Sequence, residues 1–423
     1  MATVSAEPTK EFFISMLTRD ISLLSALVDL VDNSVDAAMQ NDGVVGKKVE
    51  ITLDRQFFEI KDSCGGIPKD AAENYAFKFG RPTDAPQTPH SVGRFGVGMK
   101  RAIFKLGRSF QIESRHEDSS FNINVDVNDW LASLSDWNFE LEEVDDVAEQ
   151  YGTSIRVDDL YQSIGEKLED RVFINNLKSM IGKAHHKALL DGLSIQVNEE
   201  VVESRVVEIK HSEDLTYITD ELSIDGVTIS IKAGVGERDR HKGGWYVYCN
   251  DRMIEEASQS VMTGWGVDGI RSYHTDFAFF RGVIEFNCDD GAKLPWNTTK
   301  TGIDTDNPIY RTALVRMKIA MRKILSLLTE RIKEETAVNE GKIEESYINK
   351  AINEASLKSA FTLPLQTDFV RPNFQQLPKT TNERRISYSV KESDLNRVKE
   401  SLGVTTNKEA GLYTFDYYLE NEL

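Results

Sequence analysis

Cysteine is scarce in this 423-residue chain: Cys64, Cys249 and Cys288 are too few and too scattered for a disulfide framework or a zinc site. A reducing, cytoplasmic setting is the expectation that follows. No apolar run is long enough to cross a membrane as a helix, so no membrane partner is expected. The start, MATVSAEPTKEFF, lacks the basic end and apolar stretch of a secretory signal. Positive charge is short as well: 50 Lys and Arg face 69 Asp and Glu, a net charge of −19. A surface that grips nucleic acid everywhere is therefore excluded, because such binding is mostly counterion release by clustered cations. A local basic patch is not excluded. No repeat points to a solenoid or propeller, and no GxxxxGK[ST] points to a P-loop.

What is present fits a folded protein, with 40% hydrophobic and 28% charged residues. Ile21, Leu24, Leu27, Val28, Val31, Val35 and Ala38 recur at helical spacing and predict a helix over 20–40. Alternation predicts a hairpin of strands over 49–53 and 57–62, and further strands over 109–114, 123–127 and 153–157. Residues 80–98 are rich in Gly and Pro and read as a long loop before a helix over 99–106. A helix over 164–190 closes this portion. Strand-like runs dominate 193–286, and a long helical pattern over 308–335 continues to about 360. The Pro- and Gln-rich stretch after it reads as a linker. The expected division is 1–190, 191–335, 336–384 and 385–423.

On the first helix, Asp29, Asp32, Asn33 and Asp36 fall at i, i+3, i+4 and i+7, which is one face. Acids on one stripe repel each other, and a bound cation such as Mg²⁺, which prefers oxygen ligands, relieves the repulsion. A solvated face is the plainer reading. Two further segments favour a ligand. In IKDSCGGIP, Asp62 ends an apolar strand and can accept from an exocyclic amine such as that of adenine, with Gly65 and Gly66 letting backbone approach the ligand. In SVGRFGVGMKRAIF, Gly93, Gly96 and Gly98 stand before a helix, whose free N–H groups and dipole suit phosphate.

These three segments, in this order, resemble the N, G1 and G2 boxes of the GHKL ATPases, which include gyrase, heat-shock-ninety chaperones, histidine kinases and MutL. Tyr151-Gly152-Thr153-Ser154-Ile155 resembles the later GTxI element, so the likeness covers about residues 15–160. It implies an α+β chain: a Bergerat-fold α/β sandwich that binds ATP, a ribosomal-S5-like α/β domain and a helical tail. It also implies that Asn33 ligates Mg²⁺ and that Asp62 holds the adenine amine beside Gly66. Thr153 joins the nucleotide site, and Gly93, Phe95, Gly96, Val97 and Gly98 wrap the phosphates. Asp29 stands where most of the family has a Glu base, one methylene longer, so hydrolysis is expected to be slow. Cys64 replaces the first Gly of G1 and reads as a small buried hydrophobe.

Residues 76–80 and the G2 box look most like the MORC and heat-shock-ninety branches. The segment around Asn250-Asp251-Arg252 resembles the strand–NxR–strand of MORC and MutL transducers. In LPWNTTKTGID, Lys300 is the candidate for a lysine that reaches the γ-phosphate, with Lys293 second. Such ATPases dimerise on ATP, and residues 1–20, with Phe12, Phe13, Met16 and Leu17, are the expected strap. Relatives act on chromatin or in prokaryotic defence against foreign DNA.

A histidine kinase, or a nucleotide sensor with little turnover, is the rival reading. His185 and His186, however, follow the nucleotide segment and read as a dipole-favoured surface pair. No nuclease or catalytic-tyrosine region of MutL or topoisomerase type fits in what remains. The tail reads as a strand over 385–390 and two helices, a small dimerisation or partner-docking module. A DNA-binding ribbon would use Arg384, Arg385 and Lys391.

Overall fold

Ser22 fixes where the first long helix begins: its Oγ accepts the Ser25 amide at 3.0 Å and caps α2 (Leu23–Gln40). A shorter helix, α1 (Lys10–Arg19), precedes it. The computed structural model describes residues 8–80, 96–133, 136–145, 150–297, 300, 302–366, 368–375 and 386–422. Gly93, Phe95 and most of the loop expected over 80–98 lie outside the described residues.

The expected hairpin is β1 (Lys48–Leu53) and β2 (Phe58–Asp62), antiparallel, with Val49, Ile51 and Leu53 buried between exposed Glu50 and Thr52. A short turn α3 (Lys69–Ala71) follows. Then come α4 (Gly98–Leu106), β3 (Gly107–His116), β4 (Ser119–Asp126), α5 (Val127–Ala132), β5 (Leu141–Glu143) and β6 (Gly152–Leu160). The helix expected over 164–190 is three: α6 (Gln162–Leu168), α7 (Arg171–Ala184) and α8 (His186–Leu190). Asp170, which accepts from the Val172 amide, starts α7 afresh. The strands β7 (Ser194–Val197) and β8 (Glu200–Val201) complete an eight-stranded sheet in the order β5-β4-β3-β6-β2-β1-β7-β8. This sheet runs past the division expected at 190/191, because Ile195 and Val197 are fully buried and β7 lies parallel to β1. Helix α2 packs against α4 and α7 over the sheet.

Beyond β9 (Glu208–His211), a second sheet is built from β10 (Ile218–Ile224), β11 (Val227–Val235), β12 (Gly244–Cys249), β13 (Arg252–Ser258) and β14 (Phe280–Asn287). Its order is β10-β11-β14-β12-β13, and α9 (Pro308–Asn339), capped by Asn307, covers it with Met317, Met321, Ile324 and Leu328. The helical pattern does not run unbroken to 360. Gly341, at φ +69°, follows the end of α9, and α10 (Tyr347–Glu354) and β15 (Ser356–Ser359) come after it. Strand β15 pairs with β9.

Much of the stretch read as a linker is docked instead. Thr216 N donates to Val370 O at 2.9 Å and Tyr217 Oη to Pro364 O at 2.8 Å, while Phe369 and Phe374 pack on the second core. The chain divides into a body, Met1–Gln375, and a tail, Gln376–Leu423. In the tail, α11 (Glu392–Leu402) and α12 (Asn407–Asn421) meet at left-handed Gly403, and Thr406 and Glu409 form a capping box. Residues 386–390 form no strand, and Arg384 and Arg385 lie outside the described residues. Among the described tail residues only Ala410 is buried.

Candidate functional site

A cavity of about 360 Å³ lies between α2, the segment after β2 and the start of α4. It is lined by Asp29, Asn33, Asp62, Gly66, Gly96, Val97, Gly98, Thr153 and Lys300, so the described residues expected at the site are brought together, apart from the second lysine candidate. Lys293 is elsewhere: its Nζ donates to Asp225 O at 2.8 Å.

At one end, Asp62 closes β2. Its Oδ2 accepts from Ser34 Oγ at 2.8 Å, and its Oδ1 accepts the amides of Cys64 at 2.9 Å and Thr153 at 3.2 Å. Burial pushes the carboxyl upward, and those three donors work against the shift. Two glycines make this packing possible. Gly66 has φ +74°, and a Cβ there would stand 2.3 Å from Arg115 O; at Gly152 a Cβ would stand 1.8 Å from Asp62 O. Gly152 thus lets β6 close on β2 and puts the Thr153 amide on Asp62. Cys64 is fully buried, and burial pushes its thiol up to about 12, so it packs as a hydrophobe.

At the other end the acidic stripe of α2 meets cations of the protein itself. Arg101 Nη2, from α4, pairs with Asp29 Oδ2. Lys300 Nζ lies 2.6 Å from Asp32 Oδ2 and 3.5 Å from Asp29 Oδ1. Arg252 Nε and His185 Nε2 stand 3.0 and 3.1 Å from Asp32 Oδ1, close enough for ion pairing but misaligned for hydrogen bonds. Burial alone would raise the Asp32 carboxyl, but Arg252 and Lys300, with His185, hold it well below the usual carboxylate range. Burial pushes His185 towards its neutral form. In this contacting group, all of it buried, three cations face two carboxylates. The repulsion that made a bound cation attractive is thus relieved at Asp29 and Asp32 by the chain's own side chains. The amide Nδ2 of Asn33, beside them, is buried without a hydrogen-bond partner.

The histidine pair is not a surface feature. His185 is the C-cap of α7, the chain turns there, and both rings are buried; His186 packs on Tyr248 and Phe361.

Three residues at or near the site were not anticipated as its members: Lys100, Arg101 and Arg252. Arg101 follows Gly98 by three positions, the spacing that brings it to the same helix face. Arg252 is the arginine of the NxR segment. Lys100 lines the cavity and donates to Ala76 O at 2.8 Å, and burial lowers its ammonium to about 7. The unfolded lysine titrates near 10.4, so between these values the unfolded chain holds a proton that the folded one lacks, and stability rises with pH. Lys100→Met is expected to stabilise the nucleotide-free protein by on the order of 2–4 kcal/mol at pH 7, taking 1.36 kcal/mol per unit. The gain should shrink towards pH 10. Guanidinium unfolding of both proteins at the two pH values checks this.

Residues 21–153 match the family described as histidine kinase-, DNA gyrase B- and HSP90-like ATPase. The chain is 26% identical over 185 residues to human ATPase MORC2, covering 41% of this chain and 17% of that protein. It is 25% identical over 207 residues to mouse ATPase MORC2A, covering 46% of this chain and 19% of that protein. The matched region is under a fifth of either relative's length. No helix among the described residues is long and apolar enough to cross a membrane. Residues 21–153 thus match a GHKL-type ATPase domain, and the distant similarity to these two relatives supports a MORC-like branch of that superfamily.

Proposed function

We propose that the chain is an ATP-hydrolysing switch in which nucleotide binding in the first domain is read by the second. The observation that carries this reading is the buried group at the Lys300 end of the cavity, in which Lys300 and Arg252, from beyond the first sheet, and Arg101 outnumber the Asp29 and Asp32 carboxylates they contact. Buried cations without matching carboxylates favour an anion, and a terminal phosphate fits.

Adenine would place its amine on Asp62 with Gly66 and Thr153 alongside, and the amides of Gly96, Val97 and Gly98 would face the phosphates. The orphaned Asn33 amide fits a metal site, since its oxygen could ligate while its nitrogen meets a phosphate oxygen. A bound Mg²⁺ supplies charge neutralisation to the phosphates. Asp29 Oδ1, which accepts no hydrogen bond from the described residues, is the oxygen that would orient the attacking water and take its proton. Arg101 holds the other oxygen, and together with the short side chain this favours slow turnover. A nucleotide-sensing protein with little hydrolysis is the second reading, supported by the same pair. A phosphoacceptor role for His185 or His186 is disfavoured by their burial.

Lys300 is in the left-handed region at φ +53°, a costly conformation for lysine. Its Nζ sits on Asp32, and transfer of that contact to the γ-phosphate would give ATP a hold on the second domain that ADP lacks. Closure would pair two copies. On α1, Phe13 packs on Phe79 and Trp137, at ring distances of 5.1 and 5.5 Å, while Phe12 and Met16 are exposed and available to a partner copy. The exposed Tyr413, Phe415, Tyr417 and Tyr418 of α12 support a protein partner at the tail. Work on DNA or chromatin, including defence against foreign DNA, and a cytoplasmic location rest on the resemblance alone.

Mg·ATP should raise the melting temperature, since a ligand bound only by the folded state must stabilise it. Asn33→Ala should abolish that rise, and sedimentation with a non-hydrolysable analogue should show dimers that Mg·ADP does not produce. An Asn33→Ala protein stabilised by Mg·ATP as strongly as wild type would overturn the site assignment.

A further inference from the structure

The net charge of −19 conceals one basic locus. A second cavity, a groove of about 1010 Å³, runs between α7, the segment over 204–208 and the second sheet. Its cations are Lys183, Arg205, Arg240, Lys242 and Arg281; its acids are Glu208, Glu237 and Glu256. Two of the acids are already engaged, Glu256 by Lys183 at 2.7 Å and Glu237 by Lys210 at 2.9 Å. Arg205 and Arg240 have no carboxylate within ion-pair distance among the described residues, and Lys242 reaches Asp239 only at 3.9 Å.

Two buried groups in the wall point to a ligand. Arg281 is 4% exposed, and its guanidinium donates to the carbonyl oxygens of Ala278, Phe280 and Glu237, with no carboxylate in ion-pair range among the described residues. Three carbonyl dipoles solvate the cation, and Asp239 and Glu237 act on it only from beyond ion-pair distance. Tyr248, 1% exposed, also lines the groove, and its hydroxyl has no hydrogen-bond partner. Arg281, a buried cation with no ion-pair partner among the described residues, in the wall of a groove rimmed by arginine and lysine, matches an anion with several acceptor oxygens, and Tyr248, opposite Glu285 on the sheet, lies farther along the same groove. Most of the rim lies on the loop after β11, where Arg238, Arg240, His241 and Lys242 are all exposed. Exposed charges more than about 8 Å apart are largely screened at physiological salt, so the acidic remainder of the surface does not cancel this locus.

The geometry points to a second phosphate-binding site, distinct from the cavity at Asn33, in which Arg205, Arg240, Lys242 and Arg281 receive the phosphate groups of a phosphorylated ligand. Those phosphates can belong to a single-stranded oligonucleotide or to a small polyphosphate, and both use the same contacts.

The test uses the full chain and a fluorescein-labelled twelve-residue oligothymidylate, followed by anisotropy over a salt series, with inorganic pyrophosphate as competitor. Arg205→Glu/Lys242→Glu changes two exposed residues that do not line the Asn33 cavity, so Mg·ATP binding serves as the internal control. The double variant should weaken oligonucleotide binding at least tenfold and flatten the salt dependence by roughly 0.7 per lost contact, with Mg·ATP binding unchanged. Displacement of the oligonucleotide by pyrophosphate, with direct pyrophosphate binding lost in the variant, would identify a small polyphosphate as the ligand. Resistance to pyrophosphate would identify a strand. If neither probe binds wild type, or both bind the variant equally well, the proposal is overturned.

Discussion

Asp32→Asn is expected to destabilise the body by about 3–5 kcal/mol at neutral pH, the cost of removing one partner from a buried ion pair. The substitution keeps the shape and removes only the charge. Lys300 at 2.6 Å and Arg252 at 3.0 Å, with the His185 ring at 3.1 Å, would then converge on a neutral amide, with Asp29 left alone to answer Lys300, Arg252 and Arg101. The effect should depend on pH in a defined sense. The Asp32 carboxyl titrates well below its unfolded value of about 3.9. Its contribution is therefore fully present above that value and is lost as pH falls towards the folded one. The gap between wild type and Asp32→Asn should accordingly be widest near neutrality and narrow in acid. Denaturant midpoints from pH 3 to 7, followed by tryptophan fluorescence, check this. A constant gap would mean that shape, not charge, is what Asp32 supplies.

Lys300→Ala is expected to separate binding from turnover. Asp32 keeps Arg252 and His185, so the fold should survive with a smaller loss than in Asp32→Asn. If Lys300 meets the γ-phosphate, its removal takes away a charge contact that strengthens as the phosphate transfers. Removing one such preorganised group costs roughly a hundredfold or more in kcat. ADP affinity should stay close to wild type while the preference for ATP over ADP collapses. Steady-state hydrolysis with competition binding of both nucleotides reads this. Unchanged turnover would return Lys300 to a structural role as the cation on Asp32. Lys293→Ala, on the far contact with Asp225, is the matched control and should change neither quantity.

Local order was legible where local physics decides it. Helix α2 follows from apolar spacing, and the hairpin of β1 and β2 from strict alternation. Glycine marked the close approach at Gly66, though not that the approaching backbone is Arg115, 2.3 Å from where a Cβ would stand. Breaks and docking were less legible. The helical pattern past 335 gave no sign of the stop after Asn339. The stretch over 361–375 read as a linker because its hydrogen bonds go to Thr216, Tyr217 and Thr219, far away in sequence.

By itself, then, the sequence determined the nucleotide-binding elements and their order, since each is a short segment whose residue types carry their own chemistry. Only the tertiary structure decided what Asp29 and Asp32 face. Their partners come from α4, the end of α7, β13 and the loop holding Lys300, and Lys300 is separated from Asp32 by 268 positions. No periodicity encodes such a contact. Burial then sets its consequences, because the same side chains in water would pair weakly and titrate normally, whereas here they form one buried ion-pair group that meets the cavity at Asp29, Arg101 and Lys300.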